Sequence, residues 1–254
     1  MTVLAHALNR TLVIRASRET VFAFFTDSAR WAAWWGAGSS IEARPGGAVR
    51  IRYPDGTEAA GEVLEVSAPQ RIVFTYGYVK GTPIPPGESR VTIRLEPHRD
   101  GTSLSLTHEF SDEHVRNQHV QGWRYQLSLF ANVVANEVNA RASDLVDAWF
   151  EVWRTNDAAV REAALSRIAA PDVAVRDRFS AIDGAVDLGA HIAGALRFNA
   201  GITLRRTGNV RHCQGTVLAE WVATADDGQP RGSGTNVFTL GPDGRLTSVI
   251  GFWN

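Results

Sequence analysis

Two histidines and one aspartate are the side chains of this sequence best placed to handle protons. His108 ends the alternation Leu104, Leu106, His108, Phe110 in the run TSLSLTHEF at 102–110. His119 lies in the stripe Val115, His119, Trp123, Leu127, Phe130, Val134, Val138, spaced by threes and fours. One imidazole on a strand face and one on a helix face could meet in an apolar cavity. There they would orient a ligand carbonyl or hydroxyl, or pass protons near neutral pH. The competing reading is two core histidines whose nitrogens are satisfied by protein partners. His108, His114 and His119 lack the i, i+4 spacing of a helical zinc site and have no clearly placed carboxylate, so neither a metal nor another cofactor is expected.

Trp31, Trp35, Tyr76, Tyr78 and Trp123 could line the same space, offering flat apolar walls with hydroxyl and indole N–H handles. A filled aromatic core uses the same residues. In the second half, Asp177 sits among apolar residues in VAVRDRF at 173–179, and His191 falls on a short helical pattern. A carboxylate desolvated in an apolar pocket gains acid–base capacity, so Asp177 and His191 are the catalytic candidates. Trp153, Trp221 and Asn236 join the ligand-contacting candidates. Arg176 and Arg178 flank Asp177 and offer a surface ion pair as the alternative. Cys213 follows His212 directly, but neighbours on a strand point to opposite faces, which reads as a structural cysteine.

These residues need elements to position them. Alternation from Thr11 to Ala16 predicts a strand, and Ser17 caps a helix through Val21, Phe22 and Phe25. A shorter helix carries Trp31, Trp34 and Trp35. From 39 to 110 the period changes to two, with turns at PGG, PDG and RDG, which predicts an antiparallel meander. The proline-rich segment 81–89 is a loop that could rim an opening. Asp112 then opens a long amphipathic helix ending near Arg141.

A second pattern starts at Ser143 with Leu145, Val146, Trp149, Phe150 and Trp153 on one helical face. Helix 158–169, strand 173–179 and a short helix with Leu188, Ile192 and Leu196 follow. Strands then occupy 202–208, 216–225, 234–240 and 246–253, and RTGNVRH at 206–212 is read as a solvated turn. The two halves differ in element order, so the chain is a fusion of residues 1–141 and 142–254, both α+β.

Length and composition agree with this division. The 254 residues suit two small domains, 44% hydrophobic and 21% charged residues lie in the globular range, and the formal net charge is −1. With 26 basic against 27 acidic residues there is no excess to neutralise a phosphate backbone, so nucleic acid is not an expected partner. A single cysteine excludes an intrachain disulfide. MTVLAHALNR lacks the pattern of an export signal, and no apolar run approaches the roughly 18–20 residues of a membrane span. A cytoplasmic protein without membrane insertion is expected.

The first half resembles the SRPBCC superfamily, specifically bacterial homologues of the heat-shock-protein ATPase activator. The resemblance rests on ETVFAFFTDSARWAAWW, GEVLEVSAPQRIVFTY, GTSLSLTHEF and HVQGW, over about 11–139. It implies a START-like helix-grip fold, an antiparallel sheet around a long C-terminal helix, with a cavity for apolar molecules. The second half resembles the SnoaL-like branch of the nuclear-transport-factor-2-like superfamily in WFEVW, DVAVRD and GTNVFTLGPDGRLTSVIGFW. This implies a cone-shaped α+β barrel with a cavity, and a sheet face on which relatives dimerise. Asn236 stands where several members carry a second acidic residue, which weakens a paired-carboxylate mechanism. The combined expectation is binding of a small hydrophobic, aromatic or polyketide-like molecule in one or both cavities. Its alternatives are a cyclase, isomerase or hydrolase using the second cavity, and a chaperone-linked interaction protein.

Overall fold

A computed structural model describes residues 3–254, which fall into two compact units, 1–135 and 136–254. The division lies six residues before the expected boundary at 141, inside the last turns of the long helix.

The first unit opens with β1 (His6–Ile14), α1 (Arg18–Ala23) and α2 (Ser28–Trp35). Ser17 Oγ accepts from Thr20 N and Asp27 Oδ1 from Arg30 N, so each short helix begins on a side-chain cap. The meander follows as β2 (Ser40–Ile41), β3 (Ala48–Arg52), β4 (Glu58–Ser67), β5 (Arg71–Tyr78), β6 (Ser89–His98) and β7 (Gly101–Phe110). They form one antiparallel seven-stranded sheet in the order β1-β7-β6-β5-β4-β3-β2. Along β7 burial alternates strictly, with Leu104, Leu106, His108 and Phe110 inward, as the period of two requires. The loop before β6 folds back onto β5: Ile84 is buried, and Tyr78 N–H donates to the Ile84 carbonyl at 2.8 Å.

Helix α3 (Glu113–Val138) buries His119, Trp123, Leu127, Phe130 and Val134, the stripe read from the sequence. It ends three residues before Arg141. Phe130 packs on Phe24, Phe25 and Trp34, and Gln126 Nε2 donates to the Trp34 carbonyl.

In the second unit come α4 (Ala142–Val152), α5 (Ala158–Ile168), β8 (Ala169–Arg176), β9 (Ala181–Asp183), α6 (Ala185–Phe198), β10 (Ile202–Cys213), β11 (Thr216–Ala225), β12 (Pro230–Leu240) and β13 (Leu246–Trp253). The six-stranded sheet has the order β10-β11-β12-β13-β8-β9, with β13 and β8 parallel and every other pair antiparallel. This curved sheet is open and does not close into a barrel.

Two local expectations are corrected. The strand expected over 173–179 runs instead from Ala169 to Arg176, and Asp177 begins a turn in which its own Oδ1 accepts from Phe179 N at 2.7 Å. An aspartate that bonds the backbone two residues on favours a turn over a strand. Conversely, 206–212 is part of β10, with a bulge between Thr207 and Arg211 around Gly208 at φ +65°. The extra residues are absorbed by the bulge while pairing with β11 continues.

Candidate active and ligand site

In the first unit the expected aromatic residues come together and pack on one another. Trp31, Trp34 and Trp35 are buried, and the Trp34 and Trp35 ring centroids are 4.4 Å apart. Trp35 meets Tyr53 and Trp123 edge to face, each at 5.7 Å, and Trp31 lies one ring deeper, against Phe74. Tyr76, Tyr78, His108 and His119 form the adjoining group, with the two imidazoles 5.4 Å apart.

Their polar atoms form a directed chain. The Trp123 indole can only donate, so its 2.9 Å bond makes His108 Nδ1 an acceptor and places the His108 proton on Nε2. That N–H donates to Ser89 Oγ at 2.8 Å, and the Ser89 hydroxyl donates to the Tyr76 carbonyl at 2.8 Å. Burial pushes the His108 imidazole well below its ordinary pKa, and neighbouring His119 adds to the effect. His119 is lowered too, mainly by burial, although its Nδ1 bonds the Val115 carbonyl at 2.8 Å. The Tyr53 and Tyr76 hydroxyls share a 2.8 Å bond, and burial raises the pKa of both. Trp35 Nε1 is buried without a partner.

The second unit is different. A cavity of about 900 Å³ opens at one end of its sheet. Its wall includes Trp149 and Trp153 from α4, Leu196 and Phe198 from α6, Ile202 and Leu204 from β10, and Trp221 from β11. All five candidates of this half, Trp153, Asp177, His191, Trp221 and Asn236, lie on it. Sequence reasoning left out Phe179, Phe198, Arg231, Gly251 and Trp253. Phe179 and Phe198 are 69% and 89% exposed, so they stand where the cavity meets solvent, a position that hydrophobic periodicity does not reveal.

The strand register explains the polar wall. Asn236 pairs with Gly251 across β12 and β13, and Trp221 pairs with Gly234 across β11 and β12. A Cβ at Gly234 would lie 2.6 Å from Trp221 Cζ2, so glycine there lets the indole lie against the sheet. In that position Trp221 Nε1 donates to Asn236 Oδ1 at 3.0 Å. A Cβ at Gly251 would lie 3.2 Å from Asn236 Oδ1 and 3.3 Å from Asp177 Cβ. The bare backbone of Gly251 therefore separates the amide from the aspartate.

Asp177 makes no ion pair among the described residues: Arg176 goes to Asp183 Oδ1 at 2.6 Å, and Arg178 lies over the Phe179 ring at 5.0 Å. His191 meets Trp153 edge to face at 6.0 Å, and no hydrogen bond joins it to Asp177. Cys213 is exposed, and His212 bonds Asn136 Oδ1 and Gly215 N–H, away from any role on the thiol. Among the described residues no group of three His, Cys, Asp or Glu is arranged to hold a metal, and no helix is long and apolar enough to cross a membrane.

Residues 15–135 match the family described as Activator of Hsp90 ATPase homolog 1-like protein. No curated protein matches the chain. Among solved structures, a SnoaL-like family protein from Agrobacterium tumefaciens is 21% identical, with 44% of this chain and 95% of that one covered at a TM-score of 0.43. The AHSA1 protein from Silicibacter pomeroyi is 26% identical over 50% of this chain and 95% of its own, at a TM-score of 0.42. CalU16 from Micromonospora echinospora is 22% identical over 54% and 80%, at 0.41. The first unit is thus similar over residues 15–135 to the family described as Activator of Hsp90 ATPase homolog 1-like protein.

Proposed function

We propose that the protein binds a small, flat, largely apolar molecule in the cavity of its second unit. The observation that carries this reading is the cavity itself: about 900 Å³ walled by tryptophan, phenylalanine and aliphatic side chains, with a few polar groups at defined points. This volume lies within the range of small-molecule sites, and the polar minority fixes orientation while the apolar majority supplies affinity. The first unit, where Trp123, His108 and Ser89 bond one another in a chain, takes no ligand in this reading. Displacement of a fluorescent apolar dye by a panel of polycyclic aromatics tests it. Micromolar displacement supports binding, and no dye uptake with no thermal shift across the panel removes it.

A second reading, acid–base catalysis on the bound molecule, is favoured by one specific feature. Asp177, free of ion pairs, and Asn236 flank Gly251 on the cavity wall. In this reading the carboxylate takes a proton from a carbon next to a ligand carbonyl, and the amide donates to the oxygen on which charge develops. The protonated Asp177 carboxyl then returns that proton to another atom of the same ligand, which restores the carboxylate and leaves an isomerised product. Asp177→Asn preserves the turn, because an amide oxygen also accepts from Phe179 N–H, and abolishes turnover.

A further inference from the structure

Asn236 is 8% exposed, and among the described residues its side chain makes one hydrogen bond, which its Oδ1 accepts from Trp221. An asparagine amide is ordinarily ambiguous, because rotating it by half a turn exchanges donor and acceptor. Here the ambiguity is removed by chemistry. An indole N–H has no lone pair to offer, so the amide oxygen must face it and the NH2 group must face away. That NH2 donates to no protein atom, and Asn236 lines the cavity. The amide NH2 is thus a donor on the cavity wall that meets no acceptor among the described residues, and a ligand oxygen in the cavity can supply one.

We infer that the cavity selects flat ligands carrying a carbonyl-type acceptor, and that Asn236, held in one orientation by Trp221, is the donor that recognises it. This inference rests on ligand binding in the second unit and names the chemistry of its polar end. A ligand with only a hydrocarbon face leaves the amide donor unmet. A ligand with a carbonyl oxygen meets it without reorganisation, since the amide is oriented before binding. Asp177, beyond Gly251, offers the complementary acceptor to a hydroxyl on the same molecule.

The test uses the full chain and three tricyclic probes of nearly equal shape: fluorene, 9-fluorenone and 9-fluorenol, each displacing an apolar dye. The wild-type protein is expected to bind fluorenone about tenfold more tightly than fluorene. Asn236→Asp keeps an acceptor for Trp221 but replaces the NH2 by an oxygen. It should abolish the fluorenone preference over fluorene, read as the ratio of the two affinities, while continued dye uptake reports an intact cavity. Trp221→Phe keeps the amide and frees its rotation, so the fluorenone preference over fluorene should shrink. Equal binding of fluorenone and fluorene by the wild type, or a preference unchanged in both variants, overturns the inference and leaves apolar binding standing. Binding of neither dye nor any probe overturns the proposed function and the inference with it.

Discussion

Acidification should loosen the first unit through His108, and the effect can be worked from its hydrogen bonds. Protonation would place an N–H on Nδ1, directly facing the Trp123 N–H now bonded there at 2.9 Å. Two donors would then oppose each other at a fully buried site, in accord with the strongly lowered imidazole pKa. Above about pH 6.5 the imidazole is neutral in both folded and unfolded chains. Below it the unfolded chain takes up a proton that the folded chain refuses, so stability falls as pH falls. The slope approaches about 1.4 kcal/mol per pH unit, and between pH 7.5 and 5.0 the loss from His108 alone is about 2 kcal/mol. For a unit of this size that corresponds to a melting shift of roughly 6–10 °C. Urea denaturation across this pH range measures the loss, and the His108 ring resonances should show a neutral imidazole at pH 5. His108→Leu should be less stable at pH 7.5 by about 1–3 kcal/mol, because it orphans the Trp123 N–H, and should show a shallower slope. A flat pH profile, or an equal slope in the variant, would refute the argument.

Three further outcomes are expected. Asp177→Asn should change stability by less than about 0.5 kcal/mol, since it lies in a turn whose bond is preserved, while any turnover is lost; full activity would remove Asp177 from the chemistry. Gly251→Val should lower affinity for every cavity ligand about tenfold or more by filling the wall between Asn236 and Asp177, as read by dye titration. Phe130→Ala should cost the first unit about 3–5 kcal/mol in urea unfolding, because this fully buried ring touches Phe24, Phe25 and Trp34.

The amphipathic stripe of α3 and the alternation of β7 were legible because each has a buried face with an undisturbed period. The turn at Asp177 was misread as strand: RDRF continues an alternating pattern, and only the Asx bond to Phe179 breaks it. The bulge in β10 was misread in the opposite direction, since Gly208 and the polar run around it look like a turn. The polar wall of the cavity was legible residue by residue, but the link between Trp221 and Asn236 depends on a cross-strand register that spacing alone does not supply. Phe179 and Phe198 carried no signal, because exposed aromatics in a turn and at a helix end belong to no periodic face.

Element lengths account for the cavity of the second unit. Helix α3 has 26 residues, about 39 Å, and so matches or exceeds the 8–10-residue strands β5, β6 and β7 at about 27–34 Å. It can cover the concave face from end to end. In the second unit α4, α5 and α6 have 11, 11 and 14 residues, about 17–21 Å, against strands β10, β11 and β12 of 10–12 residues, about 34–41 Å. Val146, Phe150, Leu165 and Leu188 join Val217, Phe238 and Leu246 in a closed core. The opposite end, where β10 begins, β11 ends and β13 ends, has only the last turns of α4 and α6 above it. There Trp149, Trp153 and Leu196 line the space left between helices and sheet, and that space is the cavity. Helices too short for their sheet thus leave Asn236 and Asp177 facing open volume, whereas His108 has a protein partner for each nitrogen, Trp123 on α3 and Ser89 on β6.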